Sequence, residues 1–310
     1  MTWSRTVARL LGPTGKERVG VLAQHLWAAG FSGLSVFLRH RSVEWQNPEP
    51  HRRVLVVAPH PDDESIGCAG AVLLHKQAGA QVIVACVTDG RSSRAHGLDS
   101  EEMARRRRRE ADACARLLGI DGLEWLGLPA DAWRDEQLLS GLEVVMARHR
   151  PDVVYAPSCV DFHPEHRKVA QVLGHFWARS STRPETVRIY PVQVPLTPVL
   201  ANLVVDVTGA ILQARAAMDA YTTQRANMPR ALRQRRYTAR CYGLGEYAEE
   251  FWQLSAEAYS RLHQEESVHD AVAFRGVREH AMSDPLAYMA GRRARRRLAD
   301  VVRHGLLTAS

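Results

Sequence analysis

From residue 54 onward, short β-branched runs alternate with longer segments whose apolar positions recur at helical spacing, the pattern of a parallel sheet covered by helices. Val54–Ala58 predicts a buried strand, followed by a turn over Pro59–Ser65 and a helix through about Lys76 that stops at Gly79. Gln81–Thr88 predicts the second strand, and Asp89-Gly90 opens a polar loop that lasts to Ser100. Ser100 is placed to cap the next helix, which runs through an arginine cluster to Leu118 and ends at Gly119. Further strands are expected at Glu124–Leu126, Val153–Tyr155 and Val187–Tyr190, with helices near 135–149, 166–179, 209–220 and 246–263. The stretch 265–284 shows no clear period, and internal repeats are absent.

With 310 residues, 45% of them hydrophobic, the chain can bury a full core without covalent staples. Five widely spaced cysteines contain no C-x-x-C pair, which argues against a redox couple or a thiolate metal site and points to a reducing cytoplasm. The net charge of +7 is unevenly distributed: residues 1–53 and residues 285–310 each carry about +5, so the middle is mildly acidic. Residues 19–38 lack any charge, yet Gln24, His25, glycines and serines dilute the apolar run, so an amphipathic arm is expected rather than a membrane span or a secretion signal.

Ligands of open parallel sheets bind where loops leave the carboxyl ends of the strands, which directs attention to two loops. The first reads Pro59-His60-Pro61-Asp62-Asp63-Glu64. Three neighbouring acids repel one another, and a His/Asp set beside them suits a divalent first-row metal. The second reads Asp161-Phe162-His163-Pro164-Glu165-His166 and supplies two more imidazoles. One of these would complete a three-ligand site with an open position, the arrangement of a catalytic rather than a structural zinc. Of Asp62 and Asp63, one can bind metal while the other acts as general base. Of His163 and His166, one can ligate while the other stabilises an oxyanion and protonates a departing amine.

Taken singly, an acidic turn before a helix is ordinary placement at the positive dipole end, and H-x-x-H at a helix start is usually surface or core histidine. Together, two such clusters after two strands make a complete hydrolytic set. Competing motifs fail: Gly67, Gly70 and Gly79 do not form G-x-G-x-x-G, and no G-x-S-x-G is present.

At these residues the chain resembles the LmbE-like (PIG-L) family of zinc-dependent N-acetylglucosaminyl de-N-acetylases, through the P-H-P-D-D-E loop at 59–64 and the H-P-[DE]-H loop at 163–166. Weaker echoes are Thr88-Asp89-Gly90, the arginine-rich helix ending in Leu118-Gly119, Leu128-Pro129 with Asp131 beyond, Tyr221-Thr222-Thr223-Gln224, and Tyr247-Ala248-Glu249 with Phe251. The resemblance implies a Rossmann-like α/β three-layer sandwich with a mostly parallel central sheet. It further implies that His60, Asp63 and His166 bind zinc, that Asp62 is the general base and that His163 stabilises the oxyanion. Departures are Glu165 where the family more often has Asp, Tyr221 where it has His, and Thr223 where it has Ser; the last two bear on substrate contacts.

The resulting division is a basic, partly amphipathic arm at 1–51, an LmbE-like deacetylase domain at 52–263, and a C-terminal extension with a basic helix at 264–310. Expected substrate contacts are Arg91 and Arg94 in the polar loop after the second strand, with Asp131 and Asp161. One or two members of Arg105–Arg109, Arg107 or Arg108, are expected to reach the site. The expected substrate is an N-acyl amino sugar, free, in a natural-product glycoside or on a lipid carrier. The alternatives are an amide of a thiol conjugate, and a metal- or carbohydrate-binding module without turnover. The run Arg292–Arg297, followed by Leu298, Val301 and Val302, makes a basic amphipathic helix. With the arm at 19–38 it suggests peripheral contact with an anionic inner membrane surface. Nucleic-acid binding is not expected, because the basic ends lack interleaved aromatic residues.

Overall fold

A computed structural model describes residues 49–93, 95–196, 200–225 and 227–264, with isolated positions Val268, Arg296 and Asp300. The arm expected at 19–38 and all but two positions of the expected basic C-terminal helix lie outside the described residues. So does Arg94. Among the described residues, no helix is long and apolar enough to cross a membrane.

The elements are β1 (Arg53–Ala58), α1 (Asp63–Gln77), β2 (Gln81–Thr88), α2 (Ser100–Leu118), β3 (Gly122–Leu128), α3 (Asp135–His149), β4 (Val153–Pro157), α4 (Pro164–Arg179), β5 (Thr186–Tyr190), β6 (Leu203–Asp206), α5 (Ile211–Asp219), α6 (Met228–Tyr242), β7 (Ala248–Leu254) and α7 (Ala256–Gln264). The seven strands form one sheet in the order β3-β2-β1-β4-β5-β7-β6. The first five are parallel, and β7 runs antiparallel to both of its neighbours. The chain is a Rossmann-like α/β three-layer sandwich, as the sequence pattern predicts.

Alternate residues of each central strand enter opposite cores, because successive side chains of a strand point to opposite faces. Leu55, Val57, Ile83 and Ala85 pack with Leu138 and Leu142 of α3, Val169 and Leu173 of α4, and Tyr259 of α7. Val54, Val56, Val82 and Val84 pack instead with Val72 of α1, Cys114 and Leu118 of α2, Ala217 of α5 and Ala231 of α6. Burial on both faces explains why these strands read as continuous apolar runs.

After β1 the chain builds β2 and β3 on one side, then returns to place β4 and β5 on the other. The order therefore reverses between β1 and β4, which are directly paired, Val54 with Val153 and Val56 with Tyr155. The loops leaving these two strands diverge to opposite faces and open a crevice between them.

Three differences from the sequence pattern have identifiable causes. Asp99, rather than Ser100, caps α2, its carboxylate accepting the Glu102 N–H at 2.8 Å. The helix expected over 246–263 is the strand β7 followed by α7. Its first half, AEEFWQL, consists largely of helix-tolerant residues, and pairing to β5 and β6 overrides that local preference. Strand β6 and helix α6 were not expected at all. Helix α6 buries Gln234, Arg235 and Thr238 along with its apolar residues, so its inward face has no apolar stripe to read.

Candidate metal and hydrolytic site

The turn between β1 and α1 is held by Asp62, which adopts φ 128°, ψ −23°, a conformation that side-chain-bearing residues rarely take. Such a backbone costs on the order of 1–3 kcal/mol and persists only where neighbours over-determine it. The Asp62 carbonyl accepts from Ser65 N, Ile66 N and Ser65 Oγ at 2.8–3.0 Å. Its own N–H donates to Glu64 Oε2 at 3.1 Å. Its carboxylate accepts from the buried Arg107 guanidinium of α2, Nη2 to Oδ1 at 3.0 Å. Burial pushes the Asp62 carboxyl up to about 6, with Asp63 adding to the shift and Arg107 opposing it.

The second loop follows β4 and starts α4, with His163 as N-cap and Pro164 in the first turn, where its missing N–H is harmless. It brings His166 against the first turn. His60 Nδ1 lies 3.1 Å from His166 Nε2 and 3.3 Å from Asp63 Oδ2, and His166 Nε2 lies 3.2 Å from the same oxygen. Three donor atoms thus form a nearly equilateral triangle. Ligands about 2.0–2.2 Å from a tetrahedral zinc stand roughly 3.3–3.6 Å apart, so the triangle fits one small cation with little adjustment. His60, His163 and His166 also offer nitrogens within 4.8 Å of one another. The tighter set is the better cradle, because His163 Nδ1 already accepts the Glu165 N–H at 3.3 Å.

The surroundings favour positive charge at this centre. Burial acts to lower the pKa of His60, but hydrogen bonds to Asp63 and Glu165 lift it to about 9. Burial is likewise outweighed at His166, which Asp63 and Asp161 raise well above its ordinary value. At Asp63 burial is outweighed by the two histidines, which depress it well below the carboxylate range.

Behind the triangle stand two carboxylates that orient the rings. Glu165 Oε2 accepts from His60 Nε2 at 2.6 Å, which leaves the Nδ1 lone pair facing the triangle, and its Oε1 accepts from Asp131 N and Trp133 Nε1 at 3.0 and 2.6 Å. Asp161 Oδ1 lies 3.3 Å from His166 Nδ1, out of line for a full hydrogen bond. Asp161 also accepts the N–H groups of His163 and Gln193.

Several expected contacts are therefore corrected. Asp161 is fully buried, with its carboxylate committed to the second loop and His166, so it offers nothing to a substrate. Asp131 is exposed and contributes its backbone N–H to Glu165, not its side chain to the cavity. Arg91 is exposed and paired with Asp89 at 2.6 Å, outside the cavity lining. Within the arginine cluster, Arg107 reaches the site, whereas Arg108 lies over the Trp125 ring at 5.0 Å. Tyr221 is buried and gives its hydroxyl to Glu64 at 2.5 Å, and Thr223 gives its own to Glu110 at 2.6 Å. Both departures from the family pattern thus fall on buried supports.

A cavity of about 260 Å³ opens from the triangle. Its inner end presents His60, Asp62, Asp63, His163 and His166, and its outer wall presents Ser92, Ser93, Gln193, Gln224, Asn227 and Arg230. The wall is internally linked: Arg230 donates to Asn227 Oδ1 at 3.4 Å, Asn227 Nδ2 to Gln224 Oε1 at 3.2 Å, and Gln224 Nε2 to Ser93 Oγ at 3.0 Å. Each link uses one donor and one acceptor, so the wall is polar and internally braced. Of this wall, sequence reading flagged Ser92, Ser93 and Gln224, the last only as an echo; Asn227 and Arg230 fall on or beside the unexpected α6.

Fold and donor set define a class: α/β sandwiches with a buried three-donor constellation and an adjacent acid at the switch point of the sheet. Residues 55–177 match the family described as "PIG-L: GlcNAc-PI de-N-acetylase", and they carry a PIG-L (LmbE-like) domain. The chain is similar to "Diacetylchitobiose deacetylase" of Thermococcus kodakarensis, 28% identical over 37% of this chain and 45% of the relative. It is also similar to "Probable N-acetyl-alpha-D-glucosaminyl L-malate deacetylase 2" of Bacillus subtilis, 32% identical over 36% of this chain and 52% of the relative. The chain spans about half the length of these curated relatives. Among solved structures, N,N'-diacetylchitobiose deacetylase from Pyrococcus horikoshii superposes with a TM-score of 0.59 at 25% identity, over 70% of this chain and 89% of that one.

Proposed function

We propose that this protein is a metal-dependent amide hydrolase that releases acetate from an N-acetylated amino sugar, with zinc held by His60, Asp63 and His166. The observation that carries the reading is the 3.1–3.3 Å triangle of donor atoms with a strained, non-ligating Asp62 beside it. The three relatives described above are named as deacetylases of diacetylchitobiose or of N-acetyl-alpha-D-glucosaminyl L-malate, which supports the substrate class. A polar outer wall of serine, amide and arginine side chains suits a polyhydroxylated ring. A binding module would need the donor triangle but not the strain stored at Asp62.

Zinc, when bound, supplies positive charge that polarises the amide carbonyl and eases deprotonation of water. Asp62 takes the proton from the attacking water, and Arg107 fixes the carboxylate in the orientation for doing so. Burial lifts the Asp62 carboxyl toward neutrality, which makes it a better proton acceptor and lets it return that proton to the leaving nitrogen. His163 Nδ1 accepts a backbone N–H, so its neutral ring carries the proton on Nε2. Burial and the neighbouring His166 and His60 lower its pKa, keeping it neutral at pH 7, and that N–H serves the oxygen that gains negative charge.

The division into 1–51, 52–263 and 264–310 is proposed from the extent of the family resemblance and the charge pattern, and contact of the basic ends with an anionic membrane bearing a lipid-linked sugar is proposed on their basic and amphipathic patterning. A cytoplasmic setting is proposed because all five cysteines are free and buried. The test is acetate release from a panel of N-acetylglucosaminides by zinc-loaded protein, with Asp62→Ala as control. Turnover by the parent and loss of it in a variant that still binds one zinc is the expected outcome; full zinc occupancy without release of any acyl group refutes the reading.

A further inference from the structure

Helix α1 is not continuous. Cys68, at φ −150°, ψ 22°, breaks the ladder and divides it into a short segment, Asp63–Gly67, and a longer one that follows. The short segment carries Asp63 and leads directly from Asp62, so its angle to the rest of the molecule sets where both carboxylates stand. A break in a helix releases carbonyls on one side and N–H groups on the other, and buried groups of this kind need partners.

Two buried, charged side chains from distant parts of the chain supply them. Glu249 of β7 accepts from Gly70 N at 2.9 Å and from Ala71 N at 2.8 Å, one N–H on each carboxylate oxygen. Arg235 of α6 donates to the carbonyl of Ser65 at 3.1 Å, on the other side of the break. The two are joined, Arg235 Nε and Nη2 both meeting Glu249 Oε1 at 2.9 and 2.6 Å. Both residues are only 3% exposed. The ion pair thus spans the break, its cation on the C-terminal side of the first segment and its anion on the N-terminal side of the second, each matched to the local dipole.

The flanking glycines permit no alternative course. A Cβ on Gly67 would meet the Tyr190 ring at 2.2 Å, and one on Gly70 would meet Val207 at 2.5 Å. Both segments are therefore pressed against the ends of β5 and β6, and the pair defines the angle between them. A buried pair gains little net stability from its own attraction, but its bonds to the Ser65 carbonyl and to the Gly70 and Ala71 N–H groups satisfy three buried backbone groups and tie both segments to one fixed point.

We propose that Arg235 and Glu249 are positioning residues that set the bend of α1, and through it hold Asp62 and Asp63 in register with His60 and His166. The proposal rests on the metal-site reading above, and it assigns a function to a buried pair that touches neither the donor triangle nor the cavity end occupied by it. Misplacing one ligand and the base together weakens metal binding and slows the chemical step while leaving sugar binding at the outer wall intact.

The test is the double replacement Arg235→Met/Glu249→Leu, measured for zinc affinity by competition with a chelating dye, for Tm, and for kcat and KM on the best N-acetylglucosaminide. Expected are a lowered Tm, because three buried backbone groups lose their partners, and, at temperatures where the variant is fully folded, zinc Kd raised about 10-fold or more, kcat reduced about 100-fold, and KM within about 3-fold. Parent-like zinc affinity and kcat in that folded variant overturn the proposal. Should the double variant fail to fold, Glu249→Gln decides: its single carbonyl oxygen can no longer serve both N–H groups with a carboxylate. A lowered Tm with unchanged zinc affinity assigns the pair to stability alone and overturns the proposal, whereas weakened zinc binding at temperatures where the variant is fully folded supports it. If the parent binds zinc but releases no acetate, the deacetylase reading fails, while the zinc measurements still decide the role of the pair.

Discussion

The two ends of the cavity are built on different physics. At the inner end His60, Asp62, Asp63 and His166 lie in contact, and burial and mutual charge shift their proton affinities far from ordinary values. The outer wall uses serine, glutamine, asparagine and one arginine, joined head to tail by hydrogen bonds of 3.0–3.4 Å. On the proposed reading the first arrangement serves the chemical step and the second selects the ligand, and substitutions at the two ends should separate the two.

The largest separation is expected from Asp62→Asn. An amide cannot accept the proton, so kcat should fall roughly 10²–10⁴-fold, with zinc stoichiometry unchanged by atomic emission. A variant that keeps more than a tenth of the parent rate would remove Asp62 from the role of base. Next, Glu165→Gln should weaken zinc about 10–100-fold, because the bond from His60 Nε2 loses its charged acceptor. Zinc titration against a competing chelator reads this directly, and an unchanged affinity would mean that His60 needs no outer partner.

The pH profile should distinguish the ends as well. Because burial raises the Asp62 carboxyl and only the deprotonated form accepts a proton, kcat/KM should be lost as pH falls through the raised pKa. The acidic limb should lie above the ordinary carboxylate range and drop about tenfold per unit below it. Product affinity at the outer wall, measured in parallel, should stay flat over the same interval. The smallest effect is expected from Gln224→Ala, which cuts the hydrogen-bonded chain of the wall: KM should rise about 3–10-fold with kcat unchanged. Equal losses in kcat and kcat/KM would show instead that the wall acts on the transition state.

Legibility in the sequence follows a related line. Strands β1 and β2 and helix α3 were readable because each carries its own signal: an apolar run bounded by turn residues, or a helical period with a clear start and stop. The acidic and imidazole turns were readable because so many titratable groups lie close together along the chain. Residue chemistry alone left open which of Asp62 and Asp63, and which of His163 and His166, would ligate; family resemblance implies Asp63 and His166, and the proposed reading keeps them, although His60, His163 and His166 also offer nitrogens close together. Glu165 was read only as a departure from the family pattern, and its bond to His60 Nε2 is a link no local pattern encodes. Asp161 was read as a substrate contact because polar residues near a site look alike until burial distinguishes them.

Strand β7 was missed because of its adjacent acids. Glu249 and Glu250 look like surface residues of a helix, but both are buried in a strand, where Glu249 is satisfied by Gly70, Ala71 and Arg235, and Glu250 by Leu196, Gln234 and Thr238. Six partners from other segments make that burial tolerable, and none of them is visible from the neighbours along the chain.

By itself, then, the chain determined the order of strands and helices from β1 to β5 and the chemical groups available at two loops, because period, turn chemistry and side-chain type are local properties. Tertiary structure decided which atoms of those groups converge, how far the Asp62 backbone is strained and which buried charges are matched. Convergence depends on β1 and β4 lying side by side and on α6 and β7 closing over α1, and such contacts exist only once distant segments have packed.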